Sequence, residues 1–202
     1  MNTSISSPTT AIILLCMSIV CPTASAQNSS NQPSVKTFGP SNPFYAPSTL
    51  PFQAPPLDKI KDEDFQPAIE AGIAQQETEV ESIADNPEPP TFENTIIAME
   101  KSGELLDRVM AVFGAITSAN TNPTLQDLKM IEAPKLAAHE DFIYLNPKLF
   151  RRVAEVYQQR ASHQIDPESL RLVERYYEKF VHAGANLSEA DKTELKKLNE
   201  EA

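Results

Sequence analysis

Histidine is the side chain best suited to moving protons or binding metal near neutral pH, and this chain has three, His139, His163 and His182. His139 opens the stretch His139-Glu140-Asp141-Phe142-Ile143. A zinc peptidase motif of the form His-Glu-x-x-His places its second histidine at the last of these five positions. Both imidazoles then share one helix face, and the Glu lies beside the metal-bound water. Ile143 occupies that place, so His139 is expected to be a solvated helix residue. The sequence has no nucleophile elbow, P-loop or dinucleotide fingerprint. Carboxylates cluster at Asp62-Glu63-Asp64, at Glu77, Glu79 and Glu81, and at Glu200-Glu201. Acid–base catalysis needs carboxylates held apart in a cleft, and these clusters read as solvated faces. Tyr176-Tyr177 would suit a ligand, but the pair lies on an apolar helical stripe and reads as core. No catalytic or metal-ligating residue is assigned, and no cofactor is expected on this chain.

Composition narrows the classes of partner. The 202 residues carry a net charge of −11. A nucleic-acid surface needs clustered Lys and Arg to displace counterions, and a polybasic membrane anchor needs the same. Neither is present. Hydrophobic residues make up 41 % of the chain, enough for a core.

The first 26 residues contain no Asp, Glu, Lys or Arg. Ala11 to Cys21 is an apolar run too short to span a bilayer, which takes about 20 helical residues. Ala24-Ser25-Ala26 follows, the small-x-small pattern of a signal peptidase site. Residues 1–26 are therefore expected to be a secretory signal cleaved between Ala26 and Gln27, with Ala24 and Ala26 as the recognised small residues. The n-region has no basic residue, and a buried apolar strand or a misassigned start is the competing reading. Cys16 follows Leu15 and Cys21 follows Val20, not the small residue that lipidation requires. The mature chain would have no cysteine and hence no disulfide. It is expected to be exported to the periplasm, without a stable membrane anchor.

Residues 27–60 are rich in Pro, Ser and Asn. Gln27 to Gln32 reads as a spacer. Asn42 to Leu57 carries Phe44, Tyr45, Leu50, Phe52 and Leu57 between prolines, and an extended segment burying those side chains on a helical body is expected.

Residues 61–202 have the helical period. The first helix, about 63–85, aligns Phe65, Ile69, Ile73, Val80 and Ile83. Thr91 caps a second, whose stripe runs from Phe92 through Met99, Leu106 and Val109 to Ile116 over about seven turns. Gly103 and Gly114 lie inside it, where they would permit close packing or a bend. A third helix covers about 124–143, with a potential interruption at Pro134. A fourth begins at Asn146-Pro147, placing Leu149, Val153 and Val156 on one side and Arg151, Arg152, Gln158 and Arg160 elsewhere. Asp166-Pro167 starts a fifth, with Leu170, Val173, Tyr176, Tyr177, Phe180 and Val181 on one stripe. Ser188 opens a sixth, with Asp191 completing a variant capping box. Leu195 and Leu198 continue the apolar face of that helix, and no C-terminal signal follows, which reads as truncation at 202. No strand period appears. The expected class is all-α, with about six helices preceded by a Pro-rich extended segment. Part of the apolar stripes of helices two and five is expected to be left bare.

Several stretches also resemble one family. Asn42-Pro43-Phe44, Ser48-Thr49-Leu50-Pro51 and Phe65-Gln66-Pro67-Ala68-Ile69-Glu70-Ala71-Gly72 are similar to the start of the peptidyl-dipeptidases (dipeptidyl carboxypeptidases) of the thimet oligopeptidase-like zinc peptidases. The stretches 92–109, 117–122, 143–153, 169–185 and 190–202 follow in matching order and spacing. The resemblance covers about 42–202. It implies a large helical peptidase with a deep channel, in which this region forms a wall and lid. It also implies zinc held by His-Glu-x-x-His and a downstream Glu in a distant C-terminal region, and dipeptides released from the C-termini of short peptides. None of those metal positions exists here, so no catalytic residue is carried over. The competing reading is a stand-alone, non-catalytic helical binding module.

Overall fold

The structure, a computed structural model, describes residues 37–161 and 166–201, without the side chain of Glu201. Ala24, Ala26, Gln27 and His163 lie outside the described residues. The described residues form helices and turns with no strand, an all-α architecture. They comprise α1 (Asp62–Ala84), a π-helical turn (Phe92–Ile97) running into the short α2 (Ala98–Glu100), α3 (Glu104–Ala119), α4 (Pro123–Tyr144), α5 (Pro147–Gln159), α6 (Pro167–His182) and α7 (Glu189–Glu201). No helix among them is long and apolar enough to cross a membrane.

The π-turn, α4, α5, α6 and α7 begin where the sequence supplies a side-chain acceptor for the free backbone N–H groups of the first turn. Thr91 accepts from the backbone N of Asn94 at 3.0 Å, and Asn94 Oδ1 accepts from the backbone N of Thr91 at 2.8 Å. Asn122, Asn146 and Asp166 cap α4, α5 and α6 by the same chemistry, each followed by proline at the first helical position. Ser188 Oγ accepts from the backbone N of Asp191 at 3.2 Å and donates to Asp191 Oδ2 at 2.7 Å.

The 23 residues of α1 organise the rest. α1 packs on α3 and α4, α5 packs on α6, and α7 lies along α4. Two apolar clusters sit at opposite ends of α1. Phe65, Ala68 and Ile69 join Phe44, Leu106, Val109, Phe113 and Leu125 in one. Val80, Ile83 and Ala84 join Ile96, Met99, Leu149, Val153, Val173 and Phe180 in the other. Gly72 lies on α1 next to the first cluster, where a Cβ would come within 2.9 Å of the Leu106 backbone. That glycine lets α3 approach α1 closely.

Four expectations change. The second predicted helix is not continuous. It is interrupted between Glu100 and Glu104, where Gly103 adopts a left-handed φ of 79° as the residue before α3. The Gly103 N–H donates to Glu79 Oε2 at 2.8 Å, and a Cβ there would meet Gln76 at 2.3 Å. Gly114, by contrast, faces open space. Secondly, α4 runs through Pro134 unbroken. Thirdly, only Phe44 of the five large residues in the Pro-rich segment is buried, at 2 % exposed, while Tyr45, Leu50, Phe52 and Leu57 face solvent. Asn42 Nδ2 donates to the Asp64 carbonyl at 2.9 Å, and Arg108 Nη2 donates to the Phe44 carbonyl at 3.0 Å. Those bonds pin residues 42–44 to α1 and α3. Beyond them the chain closes its hydrogen bonds on itself, as in Gln53 N to the Leu50 carbonyl at 2.9 Å, and turns its side chains outward. Finally, the stripes expected to be bare in part are largely covered: Leu106, Val109, Phe113, Val173 and Phe180 are buried by neighbouring helices of this chain, while Met110, Ile116, Leu170, Tyr176, Tyr177 and Val181 keep partial exposure.

Candidate functional site

A cleft lined by charged and aromatic side chains lies along α6. The cations Arg171, Arg175, Lys179 and, when protonated, His182 recur every three or four positions on that helix, so they form one stripe on its surface. They line a cleft of about 600 Å³ with Glu100, Tyr144, Leu172, Tyr176 and Glu178. A smaller cavity of about 210 Å³ adjoins it through Glu100, Tyr144 and Tyr176, and is lined also by Gln76, Ser102 and Asp107. Glu100 reaches the cleft because α2 stops there and the backbone turns at Gly103. Asp107 is one turn into α3.

The groups hold one another in place. Tyr176 Oη donates to Glu100 Oε1 at 2.6 Å. Burial, and then that bond to a carboxylate, push the Tyr176 phenol well above the ordinary range, so the hydroxyl stays a donor. Asp107 is raised by partial desolvation and by the charge of Glu100, with Lys179 acting in the opposite direction. The Lys179 ammonium lies 4.2 Å from the centre of the Tyr144 ring, a cation–π contact. Arg171 Nη1 is 3.1 Å from Glu174 Oε2 and 3.8 Å from Glu178 Oε1. Among the described residues, no hydrogen bond or ion pair engages Arg175 or His182.

The residues singled out by sequence divide between frame and site. Tyr177 stacks on Tyr157 at 4.0 Å between ring centres and belongs to the core margin, whereas Tyr176 lines the cleft. His139 is not solvated. It is 4 % exposed, with Nε2 at 2.8 Å from Gln76 Oε1 and Nδ1 at 3.6 Å from Glu77 Oε1. Of the three carboxylate clusters, the first two contain residues that are not simply solvated. Asp64 is buried and accepts from the Lys61 backbone N at 2.9 Å, and Glu79 holds Gly103. Arg152 also departs from expectation. It is buried and donates to the carbonyls of Asn86 and Glu88 and to Asn94 Oδ1, at 2.8, 3.0 and 3.0 Å. Desolvation lowers its pKa. The guanidinium fork ties the connection before the π-turn to α5.

The described residues do not fit a zinc centre. No group of three or more His, Cys, Asp or Glu placed to hold a metal ion is found among them, and His139 Nε2 is engaged by Gln76 while its buried Nδ1 has no hydrogen-bond partner. The cleft residues were missed in the sequence because the cationic repeat at 171, 175, 179 and 182 shares α6 with the apolar stripe, and the apolar spacing is the stronger signal.

No family model matches the chain. Two curated proteins do. The "Dipeptidyl carboxypeptidase" of Escherichia coli is 50 % identical over 161 residues, covering 80 % of this chain and 24 % of that protein. The protein of the same name from Salmonella typhimurium is 49 % identical over 161 residues, with the same coverage. The chain thus spans about a quarter of the length of the curated relatives it matches. It is a homologue of these dipeptidyl carboxypeptidases, as its residues already suggested.

Proposed function

We propose, from this homology to dipeptidyl carboxypeptidases, that residues 42–202 form a non-catalytic helical wall of a peptidase that releases dipeptides from the C-termini of short peptides. The observation that carries the reading is identity at half of the positions across 161 residues. Such identity over so many helical turns preserves the packing of the fold. Hydrolysis in this reading rests on a zinc site of His-Glu-x-x-His type outside these 202 residues, because a metal centre needs three or four placed N, O or S ligands. The chain by itself binds no zinc and turns over no peptide. Purified protein supplied with zinc should retain well under one metal ion per chain and release no dipeptide from a blocked tripeptide. Zinc-dependent release that His139→Ala abolishes would overturn this.

Export belongs to the same reading, supported by the apolar run and Ala24-Ser25-Ala26. Intact-mass analysis of periplasmic material should find a chain beginning at Gln27. A chain retaining Met1, or lipidated at Cys21, would contradict it.

A further inference from the structure

We propose that His139 is a pH-sensitive clasp between α4 and α1, free of Glu77 when the imidazole is neutral and closed on it when the ring is charged. Histidine is the side chain whose charge ordinarily changes between pH 5 and 8, and this one is buried. Its Nε2 lies 2.8 Å from Gln76 Oε1. An amide oxygen only accepts, so Nε2 carries a proton. In the neutral ring Nδ1 then has none and is a bare acceptor. That buried atom has no hydrogen-bond partner, and the Glu77 carboxylate oxygen 3.6 Å away is a second acceptor. Two acceptors facing each other at a buried place are unfavourable. A proton on Nδ1 cures both faults. It makes the atom a donor and sets a cation beside an anion. Closure needs the Glu77 carboxylate to move inward by roughly 0.7–0.9 Å, and its side chain is partly exposed.

The surrounding charge favours the proton. The cavity of about 510 Å³ that His139 lines between α1, α4 and α7 is also lined by Glu70, Glu77, Asp141 and Glu200, against Lys135 and Lys196. Lys135 is already held by Glu132 and Glu70. The cavity that Gln76 lines adds Glu100 and Asp107. The same turn of α1 supports the bend before α3. Gln76 occupies the space a Cβ on Gly103 would enter, 2.3 Å away, and Glu79 accepts the Gly103 N–H at 2.8 Å. Glu77 lies between them in sequence, so closing His139 on it ties α4 to this turn and steadies the Gly103 bend in acid.

A double-mutant cycle in the full chain tests the clasp, with His139→Gln, Glu77→Gln and both together, by urea unfolding at pH 5.5 and pH 8. The cycle separates the pair from the titration of other groups. The coupling belongs to the charged ring, so it is present in acid and is lost as pH rises through the imidazole titration. It should raise the folding equilibrium constant about 3- to 10-fold at pH 5.5 and less than about 1.5-fold at pH 8. Nitrogen NMR of the unsubstituted chain gives a readout that needs no variant to fold. The His139 ring should carry protons on both nitrogens at pH 5.5 and on Nε2 alone at pH 8. The Gly103 amide should be better protected from hydrogen exchange at pH 5.5, once the intrinsic pH dependence of exchange is removed. Equal coupling at the two pH values, no coupling at pH 5.5, a singly protonated ring at pH 5.5, or unchanged Gly103 protection would overturn the clasp.

Discussion

Lys135 stands between two carboxylates of very different surroundings. Its Nζ donates to Glu132 Oε1 at 2.8 Å and also to Glu70 Oε1. The Glu132 side chain is 1 % exposed, while those of Glu70 and Lys135 are 44 % and 40 % exposed. The Glu70 end therefore contributes little, under about 1 kcal/mol after solvent screening. Glu132 decides the outcome, because removing the ammonium leaves a buried carboxylate without its cation. Lys135→Met should cost about 2–3 kcal/mol near neutral pH, measured by urea unfolding. The hydrogen bond from Lys135 holds Glu70 below its ordinary 4.5. Its contribution is present above that value and is lost as pH falls through the lower folded pKa. Hydrogen bonds to Glu132 and Glu70 hold Lys135 above its ordinary 10.5. Its contribution is complete below 10.5 and is lost as pH rises through the higher folded pKa. The deficit of the variant should thus be widest between those limits and should narrow at either end. An equal deficit at pH 3 and pH 7 would contradict the assignment. At this scale the sequence was least legible. Glu132, His139, Asp64 and Arg152 are buried polar groups whose partners lie on other elements, and a periodicity reading places such residues on solvent.

Helix boundaries, by contrast, are written locally. Thr91, Asn122-Pro123, Asn146-Pro147, Asp166-Pro167 and Ser188 each act within three residues of their own position, so their caps could be read without knowing the fold. Glycine roles depend on what lies opposite. Gly103 combines a left-handed φ of 79° with a Cβ position 2.3 Å from Gln76, and Gln76 in turn bonds His139. Gly103→Ala should destabilise by roughly 1–3 kcal/mol. Gly114 lies in the interior of α3 with nothing within 4 Å of its Cβ position. Gly114→Ala should stabilise by roughly 0.5–1 kcal/mol, through helix propensity and a less flexible unfolded chain. Thermal melts of the two variants should move in opposite directions. A shared direction would show that the break between α2 and α3 is not what gives Gly103 its role. The break itself escaped the sequence reading because the apolar spacing on both sides of Gly103 is that of one continuous helix.

For the whole molecule, the all-α class followed from the period of the apolar residues, and the relationship to dipeptidyl carboxypeptidases from stretches matching in order between Asn42 and Ala202. The cleft on α6 did not follow, because it is assembled from α2, α4 and α6, and only their packing brings Glu100 and Tyr144 to the cationic stripe. The cores explain how this region holds its shape. Phe65, Ile69, Val109 and Leu125 at one end of α1, and Val80, Leu149, Val153 and Phe180 at the other, are each essentially inaccessible. If the region serves as a wall of a peptidase, its surface should be exchangeable with the corresponding part of a relative. The direct measurement replaces the matching 161-residue segment of the Escherichia coli dipeptidyl carboxypeptidase with the segment from this chain and follows dipeptide release from a blocked tripeptide. The chimera should keep kcat/KM within about tenfold of the parent, a loss of under about 1.4 kcal/mol. A folded, zinc-loaded chimera that releases no dipeptide would contradict the account.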